Sequence, residues 1–365
     1  MAIAQLEISH FRNLEQVSLF PSPKLNIILG KNGSGKTSLL EAINFLGSAR
    51  SFRTPHSKHL ISFGREQFVL FAKLAVADVP VSIGIAKDKD RMSIKIANQV
   101  VCNSSALAEL LPVQVINPDV HKLLEDGPRY RRRFIEWGVF HVKQNYFGMW
   151  QQCRHILKQR NAALKQNLPS KEIRHWDIAL VEISEQLTTL RQQYLVSLQP
   201  FLDDLMQKIK GLPDISIRLE KGWPKSKTLE EALKETIESD KQKGFTQYGP
   251  HRADLKILIG SMEAKHVVSR GQQKLVTALM KVAQTQYLEN EERGATPVLL
   301  IDDLPAELDQ DYREDLMKEI AGLRSQVFVT ATDRSLLEIA RTPNSGKVFH
   351  VEHGKVTVAD HMVVA

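Results

Sequence analysis

The chain has 365 residues, of which 42% are hydrophobic and 25% are charged, and this composition excludes an intrinsically disordered chain. At this length we expect either one large domain or two coupled domains. The formal net charge of +7 favours an anionic partner, such as nucleic acid or an acidic membrane surface.

Cysteine content and the N-terminus indicate the compartment. Only Cys102 and Cys153 occur, and neither belongs to a CxxC or Cys/His cluster, which argues against a disulfide framework or structural zinc. The N-terminus has no basic stretch followed by an apolar core, and no apolar run reaches the ~18 residues that a membrane-spanning helix needs. We expect a cytoplasmic protein that neither is exported nor spans a membrane.

The N-terminal third predicts mixed α/β structure. The runs "QLEISHF", "QVSLF" and "LNIIL" predict strands, and the last of them is followed by a glycine-rich turn and the helical "KTSLLEAINFLG". Three further runs, "FVLFAKLAV", "VPVSIGIA" and "RMSIKIA", are spaced like antiparallel strands.

The middle of the chain predicts helices. From Asp119 to Lys210, long stretches have helical spacing and few turn residues, but no heptad pattern persists long enough for a free coiled-coil arm. Strand patterns return after Tyr248, in "ADLKILIG", "TPVLLIDD", "SQVFVTAT" and "GKVFHVEHGKVTVAD". We therefore predict a discontinuous α/β domain, residues 1–115 and 245–365, with an inserted and mainly helical lobe, residues 116–244.

The segment "GKNGSGKT" has the composition and the flanks of a phosphate-binding loop. It follows the apolar strand "LNIIL" and precedes a helix, the context in which backbone N–H groups wrap nucleotide phosphates. Lys36 is expected to reach the β and γ phosphates, and the Thr37 hydroxyl is expected to bind Mg²⁺. The predicted ATP-binding residues here are Gly30, Lys31, Asn32, Gly33, Ser34, Gly35, Lys36 and Thr37.

An acidic strand end supplies the second half of the predicted Mg²⁺–nucleotide site. "VLLIDD" is a buried strand that ends in Asp302 and Asp303. Such sites also hold Mg²⁺ through a carboxylate at a neighbouring strand end, a role that Asp302 fits. Asp303 is expected to polarise or position the attacking water, so Lys36 and Asp303 are the predicted catalytic residues.

"VSRGQQKLVTALMKVAQ" predicts a helix that begins with small and polar residues, an arrangement that favours phosphate binding. In order along the chain, GxxxxGKT, S-x-G-Q before a helix, and "IDDLPAELD" resemble the core of ATP-binding cassette ATPases. P-loop kinases and GTPases lack this combination. The resemblance adds Ser269, Gly271 and Gln272 as residues that bind the nucleotide of a second subunit. It therefore implies an ATP-dependent homodimer.

Within that superfamily the chain resembles the RecF family, which is related to SMC proteins. The blocks that carry the resemblance are "FRNL" (11–14), "GKNGSGKTSLLEAI", "SFRT" (51–54), "GPRYRRRFIEW" (127–137), "LKQRNAALK" (157–165), "GPHRADL" (249–255), "SRGQQKL" and "IDDLPAELD". The absence of a long coiled-coil pattern argues against arm-bearing SMC and RecN relatives. The resemblance implies ATP-dependent binding of duplex and gapped DNA, cooperation with RecR and RecO, and help in loading RecA at gaps and stalled forks during the SOS response.

Departures from the cassette pattern lower the expected hydrolysis rate. Ala306 stands where the D-loop usually has serine, and Ala331 stands where many members have a switch histidine. The resemblance therefore implies a weak, DNA-stimulated ATPase. Gln114 is a candidate for the Q-loop, although an ordinary buried or solvated glutamine is the favoured interpretation.

A basic segment supports DNA binding independently of the family. Between Pro128 and Arg174 there are eleven Lys or Arg residues and two acids, an excess of positive charge larger than that of the whole chain. No base-reading module is visible, so binding is expected to be to the backbone and largely sequence-independent. Solvated helix faces are the alternative for these cations, and lobe core is the alternative for the interleaved aromatics. The predicted DNA contacts are Arg129, Arg131, Arg132 and Arg133.

Two other functions share parts of this pattern. A transporter-type energy-coupling ATPase has the same core, but its signature usually carries two glycines after the serine, where this chain has Arg270. A small-molecule P-loop kinase is the third possibility, and it would not dimerise on ATP.

Overall fold

The computed structural model describes residues 1–76, 79–291, 296–303, 308–332 and 346–358. The chain forms two compact units, residues 1–120 with 274–365 and residues 121–273. The second unit thus shares 121–244 with the predicted lobe and also contains 245–273, which we had assigned from the sequence to the ATPase domain. The strand "ADLKILIG" explains the difference, because its neighbours in the fold belong to the second unit.

The first unit contains an antiparallel sheet in which the strands are ordered β2-β1-β4-β5-β6-β7. In β1 and β4, buried and exposed residues largely alternate, as expected of a sheet with one face on the core. The strands are β1 (Ala2–Phe11), β2 (Leu14–Leu19), β4 (Gln67–Val76), β5 (Val79–Asp88), β6 (Met92–Ile96) and β7 (Gln99–Val100).

A second sheet of the first unit has the order β15-β14-β3-β13-β12-β8, and it is parallel except where β15 pairs with β14. Its central strands are mostly apolar and buried along nearly their whole length, because a parallel sheet is covered on both faces. The strands are β3 (Leu25–Leu29), β8 (Val113–Ile116), β12 (Val298–Ile301), β13 (Gln326–Ala331), β14 (Gly346–Glu352) and β15 (Lys355–Val358).

Helix α1 (Lys36–Ser48) lies in the core shared by these two sheets, and nearly all of its residues are buried. Phe45 of α1 packs edge to face against Phe11 and Phe68 of the antiparallel sheet, with ring centroids 6.3 and 5.3 Å away. The packing covers both the apolar residues of α1 and its buried polar residues, such as Glu41 and Asn44. The other helices of this unit are α2 (Ser105–Leu110), most of α8 (Arg270–Asn290) and α9 (Gln310–Ala321).

The second unit is mainly helical and also carries a small antiparallel sheet, ordered β11-β10-β9. The sheet consists of β9 (Ser216–Glu220), β10 (Asp254–Ile259) and β11 (Met262–Glu263). The helices are α3 (Lys122–Glu125), α4 (Pro128–Val142), α5 (Tyr146–Lys165), α6 (Ser170–Lys208) and α7 (Leu229–Lys243). Short 3-10 turns cover Ser57–Leu60 in the first unit, Pro118–His121 at the junction, and Pro250–Arg252 and Ala264–His266 in the second.

Arg160 holds three segments of the second unit together. Its side chain is fully buried, and it donates to Asp177 of α6 at 2.6 Å and to Asp240 of α7 at 2.7 Å. It also donates to the Thr246 hydroxyl at 2.9 Å. A buried charge is stable only when it is paired in this way, so Arg160 of the "LKQRNAALK" block is part of the core.

The predicted architecture is confirmed: an α/β core of sheets and helices with an inserted, mainly helical unit. The longest helix described, α6, has 39 residues, and it packs against α4, α5, α7 and β9 instead of projecting as an arm. Within the described ranges, no helix is both long enough and apolar enough to cross a membrane.

Candidate nucleotide site and signature helix

The glycine-rich loop connects the C-terminal end of β3 to α1, as predicted. Gly33 and Gly35 have φ values of 78° and 122°, which glycine adopts without strain. A Cβ at Gly30 would lie 2.4 Å from the Val351 carbonyl oxygen, so only glycine fits there. Lys31, Asn32 and Gly33 are exposed at the loop's outer side. The loop is therefore shaped to present backbone to a ligand.

Lys36 folds back over this loop. Its Nζ donates to the Gly30 carbonyl at 2.8 Å and to the Lys31 carbonyl at 3.3 Å, and the side chain is almost fully buried. Ser34 Oγ is also buried, and it has no hydrogen-bond partner among the residues that the structure describes. An ammonium held only by carbonyls beside an unpaired hydroxyl suits an anion that bonds to both.

The two predicted Mg²⁺ ligands are brought together. Thr37 Oγ1 donates to Asp302 Oδ1 at 2.9 Å, although the two residues are separated by 265 positions. The topology explains the contact, because β3 and β12 both run parallel to β13 and end at the same edge of the sheet. A hydroxyl and a carboxylate oxygen at this spacing are suitable donors for Mg²⁺, which prefers oxygen ligands.

Thr330, near the end of β13, links the two aspartates. Its hydroxyl donates to Asp302 at 3.0 Å or to Asp303 at 3.1 Å, and it accepts from the Asp303 backbone N–H at 2.8 Å. Asp303 has a φ of 48°, the left-handed region that few non-glycine residues adopt. Thr330 thus holds a strained backbone turn that directs both carboxylates, and sequence reasoning had given it no role.

Burial raises the pKa of Asp302, and the neighbouring Asp303 carboxylate raises it further. Hydrogen bonds from Thr37 and Thr330 lower the pKa, as does the positive charge of Arg53. Because burial makes ionisation of this carboxyl group unfavourable, a cation placed beside it stabilises the ionised form. The electrostatics therefore fit a bound divalent ion.

The "FRNL" block braces the loop, a role that the sequence did not specify. Asn13 accepts from the Ser38 hydroxyl at 2.8 Å and donates to the Gly33 carbonyl at 3.4 Å. Arg12 makes a bidentate pair with the buried Glu41 of α1, at 2.8 and 2.9 Å. The sequence signals these residues only through their place in the "FRNL" block, which spans the turn between β1 and β2.

The departures from the cassette pattern fall partly within the described residues. Ala331 ends β13, and its carbonyl accepts from the Gly30 N–H at 3.3 Å. Its backbone therefore lies beside the glycine-rich loop, as expected of the switch position, but the residue has no imidazole. Ala306 lies outside the described residues. Gln114 is buried in β8 and donates to Gln284 of α8 at 2.9 Å, a core contact that accounts for this glutamine without a nucleotide.

The predicted signature residues begin α8. Ser269 precedes the first helical residue, its N–H donates to Gln272 Oε1 at 3.0 Å, and its hydroxyl accepts from the Gln272 N–H at 3.4 Å. This reciprocal pair is a capping box. A Cβ at Gly271 would meet no atom of the described residues within 4 Å, so packing against that part of the chain does not require glycine there.

The four predicted DNA contacts differ in their surroundings. Arg129 and Arg133 are exposed on α4. Arg131 makes a bidentate ion pair with Asp254 at 2.8 and 2.9 Å and also donates to the Asp126 carbonyl at 2.6 Å. Arg132 is half-buried and donates to the Ala253 carbonyl at 3.0 Å. Arg131 therefore holds α4 to β10, whereas Arg129 and Arg133 have the exposure that phosphate contact requires.

Comparison with known proteins identifies relatives over nearly the whole chain. The family model "RecF/RecN/SMC N terminal domain" matches residues 2–357. A "DNA replication and repair protein RecF" from Chromohalobacter salexigens is 41% identical over 98% of this chain and 99% of its own length. The protein of the same name from Shewanella baltica is 38% identical over 99% of this chain and all of its own length.

Solved structures have the same fold. One described as "recombination mediator protein RecF-ATP in RecFOR pathway" superposes with a TM-score of 0.85 and 25% identity, covering 98% of this chain and 97% of its own. An Smc head bound to the C-terminal winged-helix domain of ScpA superposes with a TM-score of 0.59 and 16% identity, over 98% of both chains. The second likeness concerns the fold alone.

Proposed function

This chain belongs to the RecF/RecN/SMC N-terminal domain family, and from that membership we propose that it is an ATP-dependent DNA-binding protein of DNA replication and recombinational repair. The observation that carries the proposal is the hydrogen bond between Thr37 and Asp302, which joins the glycine-rich loop to the acidic strand end. The relative solved with ATP, which spans nearly the same length, supports ATP as the nucleotide.

The loop residues 30–37 fit the phosphates of ATP. Lys36 now donates to two loop carbonyls, and it has a better partner in a phosphate oxygen, since the phosphate carries a negative charge that pairs with the ammonium and a carbonyl is neutral. Thr37 and Asp302 are the residues that would hold Mg²⁺, which would neutralise phosphate charge. Thr330 keeps the Asp302 carboxylate oriented.

Asp303 is the proposed group that positions the attacking water. The Thr330 hydroxyl accepts from its backbone N–H and lies 3.1 Å from its carboxylate, so the turn that carries Asp303 is held before ligand binds. Ala331 supplies no side chain that could stabilise the developing charge. We therefore propose weak hydrolysis, stimulated by DNA, that serves as a conformational switch.

Ser269, Gly271 and Gln272 are proposed to close over ATP bound to a second copy of the chain. Glycine in a helix interior costs about 1 kcal/mol relative to alanine, and no neighbour among the described residues needs the space at Gly271. The space that a Cβ would fill at Gly271 is then available to a phosphate bound by the second subunit. The Ser269 hydroxyl also caps its own helix, so closure redirects a group that the free chain already uses.

Arg129 and Arg133 are proposed to contact the phosphates of duplex and gapped DNA, because they are exposed on the basic helix α4. Arg131 and Arg132 position that helix through Asp254 and the Ala253 carbonyl. We propose RecR as a direct partner, with RecO and RecA as functional partners, in accordance with the pathway named for the ATP-bound relative.

Sedimentation with and without ATP, repeated with gapped DNA, tests the proposal. We expect ATP to convert monomers to dimers and to tighten DNA binding, and Lys36→Ala to remove both effects. Arg129→Ala with Arg133→Ala should weaken DNA binding and reduce its salt slope by about two phosphate contacts. DNA affinity that ignores both ATP and salt would contradict the proposal.

A further inference from the structure

The helical unit contains a polar pocket of about 220 Å³, and one of its lining residues, Arg132, is among the predicted DNA contacts. Helices α4, α5 and α6 and the 3-10 turn Pro250–Arg252 form its walls. Its polar and aromatic lining consists of Arg132, Glu136, Trp150, Arg154, Arg191 and His251. All of these residues belong to the second compact unit.

Arg191 is a fixed positive charge in the pocket wall. Its side chain is 4% exposed, and it donates to the Tyr146 hydroxyl and to the Pro250 carbonyl, each at 2.9 Å. Both acceptors are neutral, and Arg191 also forms an ion pair with the part-exposed Glu136, at 3.6 Å. The hydrogen bonds hold the guanidinium in place without cancelling its charge.

Two further arginines, Arg132 and Arg154, have N–H donors available for a ligand. Arg132 gives one N–H to the Ala253 carbonyl, and the rest of its fork has no acceptor among the described residues. Arg154 is exposed, lies 4.7 Å over the Trp150 ring, and pairs with no carboxylate of the described chain. A guanidinium stacked on an aromatic face keeps its in-plane donors available.

The neighbouring charges leave the pocket positive. Glu136 is the one acid in its lining. Asp254, which acts electrostatically on Arg132, is already in a bidentate pair with Arg131. Burial keeps His251 neutral at physiological pH, with a pKa of about 4. Three arginines therefore face one carboxylate inside a partly buried site, where charges are poorly screened.

We propose that this pocket binds a phosphate group of a DNA strand, separately from the glycine-rich loop. Arginine forks match the geometry of phosphate oxygens, and Trp150 offers an apolar wall to the adjoining sugar or base. The proposal rests on the DNA-binding function proposed above and places one defined contact of that interaction. A free phosphate compound has the same chemistry, so the tests distinguish it from a DNA strand.

The first test titrates inorganic phosphate into full-length Lys36→Ala protein, in which the glycine-rich loop is disabled. Binding is followed through fluorescence that is lost in the additional variant Trp150→Phe. We expect saturable binding that Arg154→Ala weakens about tenfold or more, since it removes a charge-assisted bond, and that Arg154→Lys partly restores. Lys158→Ala, an exposed cation one turn further along α5, is the matched control and should leave binding unchanged.

Absence of a saturable response, or equal losses in Arg154→Ala and Lys158→Ala, overturns the phosphate pocket. The second test compares the same variants for binding to duplex DNA over a range of salt. A larger loss in Arg154→Ala than in Lys158→Ala supports the DNA strand as ligand. Unchanged DNA affinity in Arg154→Ala, with phosphate binding lost, overturns the strand and leaves a free phosphate compound. If wild-type protein binds no DNA at all, the proposed function fails, and the phosphate titration still decides whether the pocket exists.

Discussion

Thr330→Val removes the one hydroxyl that joins the two aspartates of the nucleotide site. Threonine and valine have nearly the same shape, and residue 330 is fully buried, so packing stays close to wild type. What is lost is a donor to Asp302 at 3.0 Å or Asp303 at 3.1 Å, and an acceptor for the Asp303 N–H at 2.8 Å. The substitution therefore reports on hydrogen bonding alone.

The expected loss follows from these contacts. A hydrogen bond to a charged group contributes about 1.5–3 kcal/mol, and a buried N–H without a partner costs about 1–3 kcal/mol. The two effects share one turn and do not add fully, so we expect the free energy of unfolding to fall by about 2–4 kcal/mol. For a domain of this size that corresponds to a Tm lower by about 5–15 °C.

The loss should depend on pH in a defined direction. Burial already raises the pKa of Asp302, and the Thr330 hydrogen bond lowers it, so the variant's Asp302 pKa should lie higher than that of wild type. The hydroxyl stabilises the ionised carboxylate, so its contribution is complete above the Asp302 pKa of the variant, the higher of the two. It declines as pH falls through that pKa and the carboxylate takes up a proton.

Urea unfolding without nucleotide, near neutral pH and at acidic pH, measures both effects. Thr330→Ser keeps the hydroxyl and should preserve the pH dependence. Thr285→Val is the matched control, because Thr285 is also fully buried in this unit and its hydroxyl donates to a neutral helix carbonyl, that of Lys281, at 3.0 Å. If Thr330→Val is as stable as wild type, or its deficit is the same at acidic pH, the reasoning about this turn is wrong.

Three further predictions concern other parts of the molecule. Asp303→Asn should keep ATP binding and slow hydrolysis at least tenfold in a phosphate-release assay, and unchanged turnover would show that another group positions the water. Gly271→Ala should leave ATP binding by the monomer intact, because a Cβ meets nothing within 4 Å, but weaken ATP-dependent dimers in sedimentation; equal dimerisation would refute closure over this residue. Arg160→Met should lower the free energy of unfolding by about 3–5 kcal/mol, because it leaves Asp177 and Asp240 buried without their cation, whereas Lys158→Met on the same helix should have little effect. Denaturant unfolding compares the last two variants, and similar stabilities would contradict the role of Arg160.

Local patterns in the sequence determined most of the elements and the nucleotide loop. A mostly apolar run before "GKNGSGKT", and a continuous one before Asp302, are short and rich in aliphatic residues, which favours buried strands with polar ends. The glycines of the loop are explained by their own φ values and by the close approach of a neighbouring carbonyl. These properties belong to short segments, so a single sequence is enough to predict them.

Local sequence patterns do not reveal where the second unit begins and ends. "ADLKILIG" is a typical strand, but nothing within it specifies that it pairs with residues 216–220 and not with the ATPase sheet. Likewise, a run of arginines does not reveal which cation meets a carboxylate from β10. Strand partners and ion pairs depend on residues that are distant in sequence, because a pattern of polarity specifies a face and not a neighbour.

The sequence by itself determined that this is a RecF-like ATPase with a P-loop and an acidic strand end, because each motif is a local arrangement of residue types. Only the tertiary structure decided that Thr330 joins the two aspartates, that Asn13 braces the loop, and that Arg131 holds a helix in place. It also brought Arg132, Arg154 and Arg191 to one pocket. Such roles arise when the strands and helices pack, since packing decides which of the available partners each polar group meets.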